Sequence, residues 1–251
     1  MLKTVDFYYF SPTGGTKKAG GILASGITES VNENNLANKE INAPSSDVVI
    51  IAAPVFAGRI PALVVDKISK LNGAGKKAIT AVVYGVRAYD DALLELNDAM
   101  KNSGFDVIAS AALVAQHSMV PEIGAGRPDE SDIAEICQFA KNVLKTIESG
   151  KTGNPVVPGN RPYKDGMKVS ATPLSLPGCT ACGYCASICP VEAISITAKK
   201  ITTDINKCML CMACVANCPE RSRILPPPMQ AGLAERLGVF KDVRRENEFF
   251  E

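Results

Sequence analysis

Eight of the nine cysteines in this chain fall into two runs of identical form. Cys179, Cys182, Cys185 and Cys189 recur as Cys208, Cys211, Cys214 and Cys218, each shifted by 29 residues. Both runs close on Cys-Pro, with Pro190 and Pro219. Thiols at this density either pair as disulfides or bind a soft metal as thiolates. The start of the chain bears on that choice. Met1 to Phe10 has Asp6 inside its apolar stretch and no small-residue cleavage site, so it reads as a strand and not a secretion signal. The longest apolar run, Val48 to Ala57, is too short to span a bilayer. A cytoplasmic location is therefore expected, where thiols stay reduced and clustered cysteine means metal.

Each run reads C-x2-C-x2-C-x3-C-P, the spacing with which cysteines hold [4Fe–4S] clusters. Three thiolates on one tight loop can cap three corners of a cube, but the fourth cannot fold back to the last corner and reaches the neighbouring cluster. One cluster is then expected on Cys179, Cys182, Cys185 and Cys218, and the other on Cys208, Cys211, Cys214 and Cys189. Pro190 and Pro219 turn the chain away and cannot donate a competing N–H. Zinc is the competing reading, but its ribbons use two C-x2-C pairs and would leave a surplus cysteine in each run. Residues 178–225 closely resemble two-cluster bacterial ferredoxins. The resemblance implies a pseudo-two-fold βαβ-type unit that keeps its clusters close enough for fast exchange. The ninth cysteine, Cys137, shares the apolar face of a helical pattern and reads as a buried core thiol.

The preceding residues must position whatever exchanges electrons with such a unit. Over 1–150, strand-like runs at Val5–Phe10, Val48–Ala53, Ala78–Tyr84 and Val107–Ala115, with a weaker one near Lys39–Ile41, alternate with helical patterns. One helix carries Ala19, Ile22, Leu23, Gly26 and Ile27 on a face, and a second carries Leu93, Leu96 and Met100 and stops at Gly104. A third carries Ile133, Ile136, Ala140, Val143 and Ile147 and ends at Gly150. Continuous apolar strands alternating with helices mean a doubly wound parallel α/β sheet covered on both faces, and five strands suit the flavodoxin-like order. Residues 151–177, rich in Pro, Gly and Lys, read as a linker or packed extended arm. Residues 226–251 open with Pro226–Pro228, hold a short helix near Met229–Leu237, and continue as a charged surface tail. The expected organisation is thus an α/β domain over 1–150, a linker over 151–177, a small α+β cluster domain over 178–225 and a tail.

Ser11-Pro12-Thr13-Gly14-Gly15-Thr16 lies where the first strand gives way to the first helix. Hydroxyls and amides gathered at a helix N-terminus cradle a phosphate. Lys17 and Lys18 follow in the first turn, where the helix dipole disfavours cations unless an anion binds. A Walker A motif is excluded because no G-K-[ST] follows, and G-x-G-x-x-G is missing. Gly73-Ala74-Gly75-Lys76 precedes a strand and reads as a turn. The loop resembles the flavodoxin phosphate loop, S/T-x-T-G-x-T. Pro54-Val55-Phe56-Ala57-Gly58 and Tyr84-Gly85-Val86-Arg87-Ala88-Tyr89-Asp90 follow the third and fourth strands, where flavodoxins place loops that edge the isoalloxazine ring. All three lie beyond carboxyl ends of strands, where open α/β sheets bind ligands.

The resemblance to flavodoxin–ferredoxin fusion proteins of anaerobic prokaryotes covers most of the chain and implies FMN beside two [4Fe–4S] clusters. In that frame Ser11, Thr13, Gly14, Gly15 and Thr16 hold the phosphate. Pro54, Phe56, Ala57, Gly58, Tyr84, Gly85, Arg87 and Tyr89 edge the flavin, with Phe56 and Tyr89 packing on the ring and the Gly58 peptide free to flip. Val86 stands where such sequences often have Asn. His117, the only histidine, lies just past the fifth strand, either as a proton donor to the flavin or in a structural hydrogen bond. Asp90 and Asp91 read as helix caps.

The expected function is electron transfer between clusters and FMN, with unidentified redox proteins as partners and no catalytic residue assigned. Two alternatives stay open: a flavin-dependent reductase of a small substrate, and a redox sensor with an empty flavin domain. A net charge of +1 suggests neither nucleic acid nor an anionic membrane as a partner. In the cluster segment Lys199, Lys200, Lys207, Arg221 and Arg223 either steer acidic partners or simply solvate the surface.

Overall fold

The structure, a computed structural model, describes every residue except 151, 152 and 199. Its first part runs β1 (Val5–Tyr9), α1 (Gly15–Ile27), β2 (Val31–Asn35), β3 (Val48–Pro54), α2 (Ala62–Ile68), β4 (Lys77–Tyr84), α3 (Ala92–Asn102), β5 (Asp106–Val114) and α4 (Glu130–Glu148). These five strands pair in parallel in the order β2-β1-β3-β4-β5. That is the flavodoxin-like doubly wound order.

The alternation of strand side chains divides the core in two. Phe7 and Tyr9 of β1 pack with Ile50, Leu23, Ile27, Ile136 and Phe139, under α1 and α4. Tyr8 and Phe10 pack with Ile51, Leu93, Leu96 and Met100 on the other face, under α2 and α3. Gly20 lets α1 lie close on the sheet, since a Cβ there would stand 2.7 Å from the Phe7 ring and 2.8 Å from Ala52.

The second strand departs from expectation. It is the polar run Val31–Asn35 and not Lys39–Ile41, which is irregular. As an edge strand paired only with β1, it needs backbone partners on one side and little apolar burial, so hydrophobic patterning does not reveal it. Helix α2, with β-branched Val64 and Val65 in only seven residues, is also invisible to helical periodicity.

The remaining elements are β6 (Leu174–Ser175), α5 (Tyr184–Ser187), β7 (Ile194–Thr197), β8 (Lys200–Thr203), α6 (Ala213–Ala216), β9 (Arg223–Ile224), α7 (Pro227–Leu237) and β10 (Glu248–Phe250). Pairs β6–β9 and β7–β8 are antiparallel. Lys151 and Thr152 of the expected linker, and Lys199 of the expected basic group, lie outside the described residues.

Of the two linker readings, the packed arm is the one observed from residue 153 on. Arg161 grips Asp98 of α3 at 2.6 and 2.9 Å, and Arg59 lies over the Tyr163 ring at 4.7 Å. Asp91 accepts the amides of Asn160 at 2.8 Å and Lys164 at 2.7 Å, and Asp90 takes the Lys164 ammonium at 2.8 Å. The expected capping role of Asp90 and Asp91 is therefore replaced by a clamp: Asp91 stands at the N-cap of α3 but makes no side-chain cap bond. The Lys164 amide, helped by Asn160, holds the Asp91 carboxyl below its ordinary range against the opposing effect of burial.

The tail likewise departs from a simple surface segment. Strand β10 adds antiparallel to β5 as a sixth strand, Phe250 opposite Ser110. Phe249 stacks on Phe139 with ring centres 4.7 Å apart. Asn247 joins Asp132 at 2.8 Å and accepts the Val114 amide at 2.9 Å. The cysteine-rich segment is thus tethered to the α/β domain at both of its ends. No helix among the described residues is long and apolar enough to cross a membrane.

Candidate functional site

Three loops meet beyond the carboxyl ends of β1, β3 and β4. At the first, Gly14 takes φ +93° as the N-cap of α1 and offers no side-chain cap. The four leading amides of a helix have no intrahelical acceptor. Here the Gly14 amide donates to the Ser11 carbonyl at 3.4 Å and the Lys17 amide to Ser11 Oγ at 2.8 Å, while Lys18 N–H to the Gly14 carbonyl, at 3.0 Å, is the first bond of the helix. The amides of Gly15 and Thr16 remain, without an acceptor among the described residues. Two free amides at a helix N-terminus, with Thr13 and Thr16 in the same loop, are an arrangement that can hold an anion. The lysines that follow turn elsewhere, Lys17 to Glu33 at 2.5 Å and Lys18 to the Pro128 carbonyl at 3.0 Å.

Thr13, Gly15 and Thr16 share one cavity with Pro54, Phe56, Tyr84 and Gly85. Ser11, Gly14, Ala57, Gly58, Arg87 and Tyr89 are not on its wall. Ser11 acts behind the wall by shaping the loop. Ala57 (φ +53°) and Gly58 (φ +88°) close a tight turn in which Phe56 and Arg59 exchange backbone bonds of 2.8 and 3.2 Å. A Cβ on Gly58 would lie 2.2 Å from the Asp90 carboxylate, and the Gly58 carbonyl accepts the Asp91 amide at 3.0 Å. That peptide is held rather than free to flip. Arg87 pairs with Asp90. Tyr89 turns into the core, edge-on to Tyr84, and donates its hydroxyl to Glu248 of β10 at 2.8 Å. In this arrangement neither lines the cavity: Arg87 is paired with Asp90 and Tyr89 with the tail. Val86, next to the lining residue Gly85, is fully buried with φ +66°, a strained conformation for a β-branched residue.

His117 does line the cavity, with its ring against Gly85, where a Cβ would come within 2.6 Å of Cδ2. Its Nδ1 accepts the amides of Met119 at 3.2 Å and Val120 at 3.1 Å. The proton of the neutral ring therefore sits on Nε2. Burial pushes its pKa below the ordinary 6.5. The structural hydrogen bond and the position at the cavity coexist in this one residue. Other wall residues, among them Val55, Val83, Ala115 and Gln116, carry no chemical signature in sequence.

The most consequential wall residue was expected elsewhere. Cys211 borders the cavity of the three loops and also a second cavity, which Cys189, Cys208 and Cys214 line with it. Among the described residues no three such side chains converge on a point, as ligands of one ion do. They stand around a space, as ligands at the corners of a larger group would. Burial pushes the Cys211 thiol up to about 12 and raises Cys208 and Cys214 as well, so thiolates there require a strong cationic partner.

The 29-residue repeat is conformational as well as chemical. Ala181 and Leu210 both take positive φ, as do Gly183 and Met212, and Glu192 and Arg221. Helices α5 and α6 coincide under the same shift. The Cys189 sulfur accepts the Ala193 amide at 3.3 Å, and the Cys218 sulfur accepts the Ser222 amide at 3.3 Å. Among the basic residues expected at the surface, Arg223 is a correction: it is 2% exposed and belongs to the interior of this unit. Cys137, expected in the core, is half-buried beside α1 in an open groove. Close approach of the helices leaves it there: a Cβ on Gly26 of α1 would stand 2.6 Å from the Ala140 Cβ of α4.

Residues 178–222 match the 4Fe-4S dicluster domain family, which makes this segment the holder of at least one 4Fe-4S cluster. No curated protein matches the chain. Among solved structures, rubredoxin oxygen:oxidoreductase of Desulfovibrio gigas is similar at 15% identity and TM-score 0.45, over 59% of this chain and 37% of that one. This chain therefore spans little over a third of that protein. A flavodoxin from the domain Archaea aligns at 13% identity and TM-score 0.42, over 58% of this chain and 99% of its own. A Fusobacterium nucleatum flavodoxin bound to flavin mononucleotide aligns at 14% identity and TM-score 0.43, over 57% and 98%. The fold assignment rests on the strand order.

Proposed function

From a chain that joins a flavodoxin-like α/β domain to a 4Fe-4S dicluster domain, we propose an electron-transfer iron–sulfur flavoprotein that relays electrons between two [4Fe–4S] clusters and one FMN. The observation that carries this reading is Cys211, whose side chain belongs to both cavities at once. Cys208, Cys211, Cys214 and Cys189 would hold one cluster and Cys179, Cys182, Cys185 and Cys218 the other, in the crossed pattern. Cys189 lining the cavity of the second run supports that pattern. When bound, the clusters supply one-electron transfer and FMN supplies two-electron capacity.

The chain's own residues do the positioning. Thr13, Gly15 and Thr16 would take the phosphate, and Pro54, Phe56, Tyr84 and Gly85 would border the ring. His117 presents its Nε2 proton at the same cavity. Asn217, next to Cys218, donates to the Pro12 carbonyl of the anion-binding loop at 3.1 Å, so the two sites are hydrogen-bonded to each other. The arm clamped by Asp91 and the strand β10 keep the cluster unit seated without a diffusional step. This favours exchange within one chain over exchange between two.

The test is rapid anaerobic reduction of the loaded chain, watched at flavin and cluster wavelengths over a range of protein concentrations. Flavin reduction should follow cluster reduction at a rate independent of concentration, and a cluster-deficient variant should lose that route. A slow, concentration-dependent equilibration would refute the internal relay. A preparation that folds and binds iron but takes no FMN would refute the flavin assignment.

A further inference from the structure

The two halves of the cysteine repeat carry residues of opposite character five positions beyond their last cysteine. Five residues after the last cysteine of the first run stands Ile194, at the start of β7. At the same place after the second run stands Arg223, at the start of β9. A partly buried isoleucine there is ordinary packing. An arginine that is 2% exposed is not, because burying a guanidinium costs several kcal/mol unless charge and hydrogen bonds compensate it. Its Nη1 donates to Ser175 Oγ at 3.1 Å and its Nη2 to Thr203 Oγ1 at 2.9 Å. Nη2 also lies 3.9 Å from the Cys214 sulfur. Its Nε is the one buried side-chain nitrogen or oxygen without a hydrogen-bond partner among the described residues. No carboxylate of the described residues pairs with it. The described residues thus bury a cation with a free donor beside a cysteine run and supply no carboxylate for it.

Resting on the reading that two clusters bind here, we propose that Arg223 is the built-in counter-ion of the cluster held by Cys208, Cys211, Cys214 and Cys189, raising its reduction potential above that of the other cluster. Four thiolates around a [4Fe–4S] core carry net negative charge, and reduction adds one electron with no bond made or broken. A fixed cation within hydrogen-bonding reach of a ligand sulfur stabilises the more negative, reduced state. The direct contact is with Cys214, so the larger effect falls on the second cluster. Since Cys211 of that set borders the flavin cavity, the asymmetry gives electron flow a direction: from the cluster of the first run, to the cluster beside Arg223, to the flavin side.

The experiment is an EPR-monitored potentiometric titration of the full cluster-loaded chain, with dithionite as electron source, for the natural chain and for Arg223→Gln, Arg223→Ile and Arg223→Lys. Iron and sulfide are counted first. A natural chain with well under about eight irons would refute the two-cluster reading itself, whatever Arg223 does. With both clusters present, the higher potential should belong to the cluster that Cys208→Ser perturbs. Arg223→Gln and Arg223→Ile should make reduction of that cluster about tenfold less favourable, ~59 mV for a one-electron couple, and move the other less. Arg223→Lys, which keeps the charge and loses the Nε donor, should fall between. Loss of one cluster's iron in the Gln and Ile variants but not in the Lys variant would also support the counter-ion role. Unmoved potentials in variants that hold full iron would overturn the proposal. So would a shift confined to the cluster that Cys182→Ser perturbs, or equal loss of iron in all three variants, which would make Arg223 a structural residue only.

Discussion

Replacing Asp91 with Ala should free the arm that seats the cluster unit. The carboxylate is 2% exposed and takes two short backbone bonds, from Asn160 at 2.8 Å and Lys164 at 2.7 Å, with a longer one at 3.2 Å from the Asn160 amide group. Hydrogen bonds to a charged group contribute about 1.5–3 kcal/mol each. Both donors belong to exposed residues, so water would take over part of the role. The two backbone bonds at the low end of that range put the loss at about 3 kcal/mol. At 1.4 kcal/mol per factor of ten, the arm should open about a hundredfold more often. Hydrogen exchange of the Asn160 and Lys164 amides in the loaded chain reads this directly. Asp91→Asn, which keeps an oxygen acceptor but not the charge, should give a smaller loss, and iron content should stay normal in both. The carboxyl is held below its ordinary 3.8, so the clamp is complete above that value and weakens only as pH falls through the lower folded pKa. Arm protection should therefore be flat from pH 8 to 5. Unprotected Asn160 and Lys164 amides in the natural chain, or protection unchanged in Asp91→Ala, would refute the clamp.

Three further outcomes are expected. Thr13→Ala or Thr16→Ala should weaken retention of FMN at least several-fold while iron stays near normal, measured by equilibrium dialysis of flavin alongside an iron assay. Cys218→Ser should damage the same cluster as Cys179→Ser; an EPR change shared instead with Cys208→Ser would break the crossed assignment. His117, whose folded pKa is depressed by burial, contributes stability that is complete above its ordinary 6.5 and is lost as pH falls through the lower folded value. Urea midpoints should accordingly fall below pH 6.5 in the natural chain and fall less in His117→Asn, with equal slopes in the two chains counting against this account.

What is local is legible in the residues alone. Ligand spacing over ten or eleven residues is set by the covalent reach of a loop, so the two cysteine runs and their repeat were readable without a fold. The anion cradle was readable for the same reason, since a helix start and its hydroxyls are sequence neighbours. Central strands and long helices were legible because burial on a whole face imposes a period. Tertiary structure decided everything that depends on distant partners. Val31–Asn35 is a strand only because β1 lies beside it, and residues 248–250 are one only because β5 offers an open edge. Asp91 reads as a cap, yet the arm takes its carboxylate from 69 and 73 residues further on. Tyr89 looked like a ring contact until Glu248, 159 residues on, claimed its hydroxyl. Arg223 looked like a surface charge, because one residue's burial has no periodic trace. Cys211 facing the three-loop cavity is the clearest case. Its spacing marks it as a candidate ligand, but only the return of the chain through the arm and β10 brings it to the loop between β1 and α1, and that closure has no signature shorter than the whole chain.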